Sequence, residues 1–232
     1  MRPCALIFDV DGTLAETEEA HRRAFNDTFA AHGLGWHWDR ALYRDLLHTT
    51  GGKERMRTWC GWIGADPASV DIAAIHADKT ARYGALIARG DVPLRPGIAS
   101  LIADARAHGL PLAVATTTNL PNVEALIRAT MGCAASAIFD VIAAGDMVAT
   151  KKPAPDVYLL ALKGLGLPAA DTLAFEDSCN GLLSGQAAGI PVIACPSAYT
   201  DHEDFTGAAF GVTCYSETPS LAALATLTRR AA

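Results

Sequence analysis

No stretch of the 232-residue sequence approaches the roughly 18 uninterrupted apolar residues of a membrane helix, so a helical membrane span is not expected. There is no block of like charges of the kind that forms a solvated interaction tail. The formal net charge is −6 with 19% charged residues, which makes nucleic acid and anionic membrane poor partners. The six cysteines, Cys4, Cys60, Cys133, Cys179, Cys195 and Cys214, show neither C-x-x-C nor metal-finger spacing. That excludes a disulfide scaffold and a zinc ribbon, and they are expected to be reduced, mostly buried small apolar residues. Met1-Arg2-Pro3 runs straight into a strand-like segment without the pattern of a secretory or transit peptide. A cytoplasmic protein is the expectation, and a monomer. Internal repeats and low-complexity segments are also lacking.

What the chain does have is apolar residues, half of the total, enough for one large domain or a core with a small insert. Short apolar runs ending in polar residues alternate with longer periodic segments, the pattern of strands and crossover helices in a parallel sheet. Strands are predicted at 5–8, 112–115, 138–143, 173–175 and 192–194. Helices are predicted near 97–108, 121–130, 155–164 and 179–188, each closed by Gly or Pro, as in His108-Gly109-Leu110-Pro111. These segments predict a doubly wound α/β domain of residues 1–16 and 91–232, with a final surface helix after Pro219. Residues 17–90 break the rhythm with successive helical patterns at 17–32, 39–47, 52–63 and 68–89. They are predicted to form a helical cap over the carboxyl edge of the sheet, where open α/β sheets bind ligands.

The chemistry-bearing residues lie at predicted strand ends. Phe8-Asp9-Val10-Asp11-Gly12-Thr13-Leu14 places two carboxylates just after the first strand, with a glycine that permits a sharp turn. Phosphoryl transfer needs a positioned nucleophile and neutralised charge, and Asp9 as nucleophile with Asp11 as acid/base would supply the first. A carboxylate attacking a phosphate is an anion attacking an anion, so a hard cation is required between them. Phe175-Glu176-Asp177-Ser178 brings two further acids to the same edge. Oxygen from Asp9, Glu176 and Asp177 and from the Asp11 main chain suits octahedral Mg²⁺; capping of a following helix by Ser178 or Asp177 is compatible with it. The run Thr116-Thr117-Thr118-Asn119 either aims donors at an anion or simply caps the next helix. Lys151-Lys152 either joins the charge network of Asp9 or faces solvent.

These four pieces, in this order, resemble the four motifs of the haloacid-dehalogenase superfamily, and the resemblance spans the whole chain. It implies Asp9 as nucleophile, Asp11 as general acid/base, Thr116 and Lys152 as phosphoryl ligands, and Asp9, Asp11, Glu176 and Asp177 around Mg²⁺. Asp11, absent from the dehalogenases proper, points to phosphate chemistry. The 17–90 insert is similar to the helical cap of the β-phosphoglucomutase-like branch, with Glu16-Thr17-Glu18 and His21 at its hinge. Thr49-Thr50-Gly51-Gly52-Lys53-Glu54-Arg55, Ile75-His76-Ala77-Asp78-Lys79-Thr80 with Tyr83, and Leu94-Arg95-Pro96-Gly97 resemble the CbbY-type subgroup. That resemblance implies a phosphatase acting on a small sugar phosphate, xylulose 1,5-bisphosphate; a phosphomutase or a silent phosphate-binding module of the same fold are the alternatives. The substrate-contact candidates are Glu18, His21, Gly51, Gly52, Lys53, Lys79 and Thr117. Gly51-Gly52-Lys53 would open a helix with free N–H groups toward an anion, and Lys53 with Arg55 or Arg57 could read a second phosphate. Lys79, Arg82 and Tyr83 share a helical face by spacing, as substrate contacts or as an exposed basic helix. His21 could move protons or merely pack at the hinge.

Overall fold

The computed structural model describes residues 3–224. Six parallel strands form one sheet: β1 (Ala5–Phe8), β2 (Leu112–Ala115), β3 (Val141–Ala143), β4 (Thr172–Glu176), β5 (Val192–Ala194) and β6 (Phe210–Gly211). Their order is β3-β2-β1-β4-β5-β6. Strands β1, β2, β4 and β5 are buried along their whole length, as all-parallel strands covered on both faces must be. Period-two alternation divides their side chains between two layers. Leu6, Phe8, Leu112, Val114, Leu173 and Phe175 join one core, and Ile7, Ala113, Ala115, Ala174 and Val192 join the other. In the first layer, Phe8 stacks on Phe175 at 4.8 Å between ring centroids. The flanking helices are α5 (Ile98–Ala107), α6 (Leu120–Met131), α7 (Asp156–Leu165) and α8 (Cys179–Ala187).

Because β2 and β3 lie on one side of β1 and β4 to β6 on the other, the chain reverses direction across the sheet at β1 and β4. The carboxyl ends of those two neighbours form the crevice in which open α/β sheets bind ligands. Phe8 pairs with Phe175 in register, so the acids that follow each strand emerge side by side.

Between β1 and α5 the regular elements of the described chain are all helical: α1 (Glu18–Ala31), α2 (Arg40–Leu46), α3 (Gly52–Trp62), a 3₁₀ turn and α4 (Ile72–Ile87). These helices carry a core of their own around Phe25, Phe29, Trp38, Tyr43, Met56 and Ile75. Side-chain caps from Asp39 and Asp71 start α2 and α4. Ala15 bridges Leu94 and Arg95 N donates to Leu14 O at 2.8 Å, so the two crossings between helices and sheet run paired.

Several boundaries differ from the sequence expectation. The predicted strand 138–143 begins only at Val141, because a 3₁₀ turn at Ala135–Ala137 carries its hydrogen bonding through Phe139. The predicted helix 68–89 begins at Ile72, after a separate 3₁₀ turn at Pro67–Ser69. The two-residue β6 was not anticipated, being too short to show a period. The expected helix after Pro219 starts at α9 (Leu221–Leu224), and its continuation lies outside the described residues. All six cysteines are free, but only Cys60 and Cys195 are buried. The expectation of mostly buried thiols fails because the other four sit at element ends and turns. Among the described residues no helix is long and apolar enough to cross a membrane.

Candidate active site

The end of β1 delivers Asp9, 6% exposed, into the crevice, where its Oδ1 accepts a hydrogen bond from Lys152 Nζ at 2.7 Å. Lys152 follows β3 and is itself buried; its remaining donors go to Glu176 Oε1 at 2.6 Å and Ala115 O at 2.8 Å. The solvent-facing alternative for the lysine pair is thereby excluded, and all three ammonium protons are placed. Glu176 Oε1 also accepts from Tyr158 OH at 2.5 Å, while Glu176 Oε2 is buried with no hydrogen-bond partner. Asp177 follows directly, and Ser178 caps α8 by accepting from Gly181 N at 3.2 Å. Both readings of this segment therefore hold together: acids at the crevice and a cap behind them.

Carboxylate oxygens of Asp9, Glu176 and Asp177 lie within 4.8 Å of one another, all buried. Three buried acids face a single buried lysine, which leaves a surplus of negative charge in a poorly solvated place. Burial, with Glu176 and Asp11 adding to it, raises the Asp9 carboxyl to about 8 despite the opposing pull of Lys152. Burial together with Asp9 and Glu176 pushes Asp177 well above the usual carboxylate range. Burial works to lower Lys152, but the Asp9 and Glu176 charges outweigh it and raise its pKa above the ordinary lysine value. An all-oxygen donor set, an orphaned buried carboxylate oxygen and excess negative charge together fit a hard divalent cation.

The turn after β1 is built for this convergence. Gly12 has φ 84°, and a Cβ there would overlap the Asp177 carboxylate. Asp11 turns its side chain the other way, toward the helices. Its Oδ1 accepts from Thr17 Oγ1 at 2.6 Å and meets His21 Nε2 at 2.9 Å. His21 Nδ1 in turn lies 2.6 Å from Lys79 Nζ, and the imidazole stacks on Tyr83. Burial acts against the Asp11 carboxylate, but His21 and Thr17 hold its pKa well below the usual range. Lys79 is lowered to about 7 by burial, against the pull of Asp11.

One cavity spans sheet and helices. Asp9, Asp11, Lys152 and Asp177 line its floor, with Thr117 beside them; Glu18, His21, Gly51, Gly52, Lys53 and Lys79 line it from the helical side. Thr116 is buried and not among the lining residues; its hydroxyl accepts from Thr118 N at 3.2 Å. The helix cap here is Asn119, which accepts from Asn122 N, and not a threonine. Gly52 opens α3 behind Gly51 as its spacing implied. Arg55 lines the cavity and is buried, with NH1 3.0 Å from Tyr43 OH, whose hydroxyl donates to Glu18 Oε2 at 2.8 Å. Arg57 is exposed and not among the lining residues. Arg82 pairs with Asp78 and also stays outside, so only Lys79 and Tyr83 of that predicted face are buried.

Sequence reasoning passed over Tyr158 and Thr200 as site residues, weighed Lys151 only as one of the lysine pair, and assigned no role to His76. Tyr158 reads as ordinary helix core, and Thr200 lies in an irregular loop with no local signature. His76 lines the cavity and is driven down to about 3 by burial and by Lys79, Lys53 and Lys151. Several cations thus gather around it.

The haloacid dehalogenase-like hydrolase family model matches residues 5–189. The chain is 58% identical over 220 residues to Protein CbbY of Cereibacter sphaeroides, covering 95% of this chain and 96% of the relative. It is 58% identical over 222 residues to Protein CbbY of Rhodobacter capsulatus, covering 96% and 95%. A crystal structure of an Asp-to-Asn mutant of CbbY from Rhodobacter sphaeroides, in complex with xylulose 1,5-bisphosphate, matches with a TM-score of 0.93 at 57% identity, covering 97% and 99% of the two chains. β-Phosphoglucomutase from Clostridium difficile shares the fold, with a TM-score of 0.83 at 20% identity over 99% and 98%. With the family model, the CbbY relatives and the clustered acids in agreement, the chain belongs to the haloacid dehalogenase-like hydrolase family and is a phosphatase.

Proposed function

We propose that this phosphatase hydrolyses a small sugar bisphosphate, foremost xylulose 1,5-bisphosphate, through an aspartyl-phosphate on Asp9. The observation that carries the mechanism is the buried group of Asp9, Glu176 and Asp177 held against Lys152. Mg²⁺ is the fitting cation, held by Asp9, Glu176 and Asp177 with the Asp11 main chain; when bound it supplies charge neutralisation between two anions. Residues 17–90 act as a cap on a core of residues 1–16 and 91–232, excluding bulk water when closed.

The chain's own groups do the rest. Lys152 keeps a positive charge beside Asp9 where the phosphoryl group reacts, Thr117 lines the cavity next to it, and the buried Thr116 sets the turn behind through its bond from Thr118 N. An Asp9 oxygen forms a bond to phosphorus as the phosphorus–sugar oxygen bond breaks, and Asp11 delivers a proton to the leaving oxygen. A water then attacks the phosphorus and gives its proton to Asp11, releasing phosphate and restoring the Asp9 carboxylate. Asp11 rests ionised here, so the proton for the first step must reach it, and the Asp11–His21–Lys79 contacts form a route. The substrate reading is supported by the cations of the helical wall, Lys53, Lys79 and the buried Arg55, joined by Lys151 from the sheet side. A monophosphate would leave that second charge cluster unanswered. The similar CbbY that binds xylulose 1,5-bisphosphate supports the same choice.

The test is phosphate release from a panel of sugar mono- and bisphosphates with and without Mg²⁺. Bisphosphorylated pentuloses are expected to lead, and Asp9→Asn is expected to abolish turnover with the fold retained. Isomerisation of β-glucose 1-phosphate in place of phosphate release, or full activity of Asp9→Asn, refutes the proposal.

A further inference from the structure

The loop after β5 touches both the helical layer and the acid cluster. Tyr199 OH donates to Glu19 Oε2 of α1 at 2.5 Å, and its ring meets Tyr43 of α2 edge-on at 5.8 Å. Asp201 pairs with Arg44 of α2, whose Nε also donates to His202 Nδ1 at 2.8 Å. Thr200, between these grips, faces the opposite way and is buried. Its hydroxyl donates to the main-chain oxygen of Asp177 at 2.5 Å and lies 3.4 Å from Asp177 Oδ2. The same hydroxyl oxygen accepts from Ser197 N at 2.9 Å, so its orientation is set by the loop itself. Glu203 adds a second tie, accepting from Cys179 N at 2.5 Å, two residues beyond Asp177.

We propose that Thr200 is a positioning residue that couples the seating of the helical layer on the sheet to the placing of Asp177 for its cation. The proposal rests on the cation reading given above. Residues flanking Thr200 are held by α1 and α2, so a shift of those helices moves the loop, and the buried Thr200 hydroxyl moves with it. The bond holds the Asp177 main chain, with Ser197 Oγ 2.9 Å from the same hydroxyl, so displacing Thr200 shifts the backbone from which the Asp177 carboxylate projects. Linkage makes the effect reciprocal: whatever seats the helices tightens cation binding, and the cation favours the seated helices by the same factor. Tyr199 and Arg44 touch none of the acids in the cluster, and the loop is the direct path from them to Asp177.

The experiment is calorimetric titration of the full-length protein with Mg²⁺, without substrate, for the wild type, Tyr199→Phe, Thr200→Val, Thr200→Ser and the double variant Tyr199→Phe/Thr200→Val, with melting curves alongside. Tyr199→Phe is expected to weaken Mg²⁺ binding several-fold and Thr200→Val about tenfold. Thr200→Ser, which keeps the hydroxyl, should bind within about twofold of the wild type. The decisive readout is non-additivity: Tyr199→Phe should have no further effect once Thr200 is valine. Unchanged affinity in Tyr199→Phe, or the same fold-loss in both backgrounds, overturns the coupling while leaving the cation site intact. Failure of the wild type to bind Mg²⁺ overturns the cation reading itself, and the coupling with it. If Thr200→Val does not fold, Thr200→Ser and Tyr199→Phe still decide: a tenfold loss in the former or none in the latter refutes the role.

Discussion

Replacing Lys152 by methionine removes the charge that holds the acid cluster together while nearly preserving its volume. The wild-type ammonium is 4% exposed and sits 2.7 Å from Asp9 and 2.6 Å from Glu176. At an effective dielectric of ~20, each pair is worth about 6 kcal/mol of gross attraction. Most of that offsets the desolvation of three ions, so the expected net loss is the ~3–5 kcal/mol typical of breaking a buried pair from one side. The loss must depend on pH. Asp9 already titrates at about 8 beside Lys152, and without the lysine it rises further. At pH 9 the wild-type Asp9 is mostly ionised and the full penalty of its lost partner applies. At pH 5 protons replace the lysine, and the loss should shrink toward the ~1 kcal/mol of ordinary hydrogen bonds. Urea denaturation with a chelator present, at both pH values, measures this directly. A loss below about 1 kcal/mol at pH 9, or equal losses at the two pH values, would refute the claim that Lys152 neutralises a buried surplus of negative charge.

Three further outcomes are expected from the same cluster. Asp9 is raised from 3.8 to about 8, so the folded chain holds a proton that the unfolded chain releases above about 4. Its contribution to stability is therefore full below the unfolded value and lost as pH rises through the folded one, so chelated protein should weaken between pH 4 and 8. Mg²⁺ must displace that proton and any held by the raised Asp177, so its affinity should rise at least about tenfold per pH unit up to about 8, with proton release visible as a buffer-dependent binding enthalpy. A pH-independent affinity would contradict this. Gly12→Ala places a Cβ into the Asp177 carboxylate at a residue with φ 84°. It should lower stability by at least ~1 kcal/mol and weaken Mg²⁺ binding, read from melting curves and calorimetry; wild-type behaviour in both would show that the turn tolerates a side chain.

The sequence by itself determined the parts whose signal is local. Short continuous apolar runs marked β1, β2, β4 and β5 because strands buried on both faces must be apolar throughout. Acids at the ends of such runs marked Asp9, Asp11, Glu176 and Asp177, since two pairs of carboxylates, each at the end of a buried strand, bring four acids to one sheet edge. Only the tertiary structure decided which way each acid points: the side chains of Asp9, Glu176 and Asp177 converge, whereas Asp11 turns to Thr17 and His21. It also decided that Lys152 and Arg55 are buried while Arg57 is exposed, and that Thr200 reaches Asp177. Those outcomes depend on the order of strands in the sheet and on how helices seat against it. Such contacts join residues as far apart as Asp9 and Lys152, 143 positions along the chain, and no local periodicity carries that information.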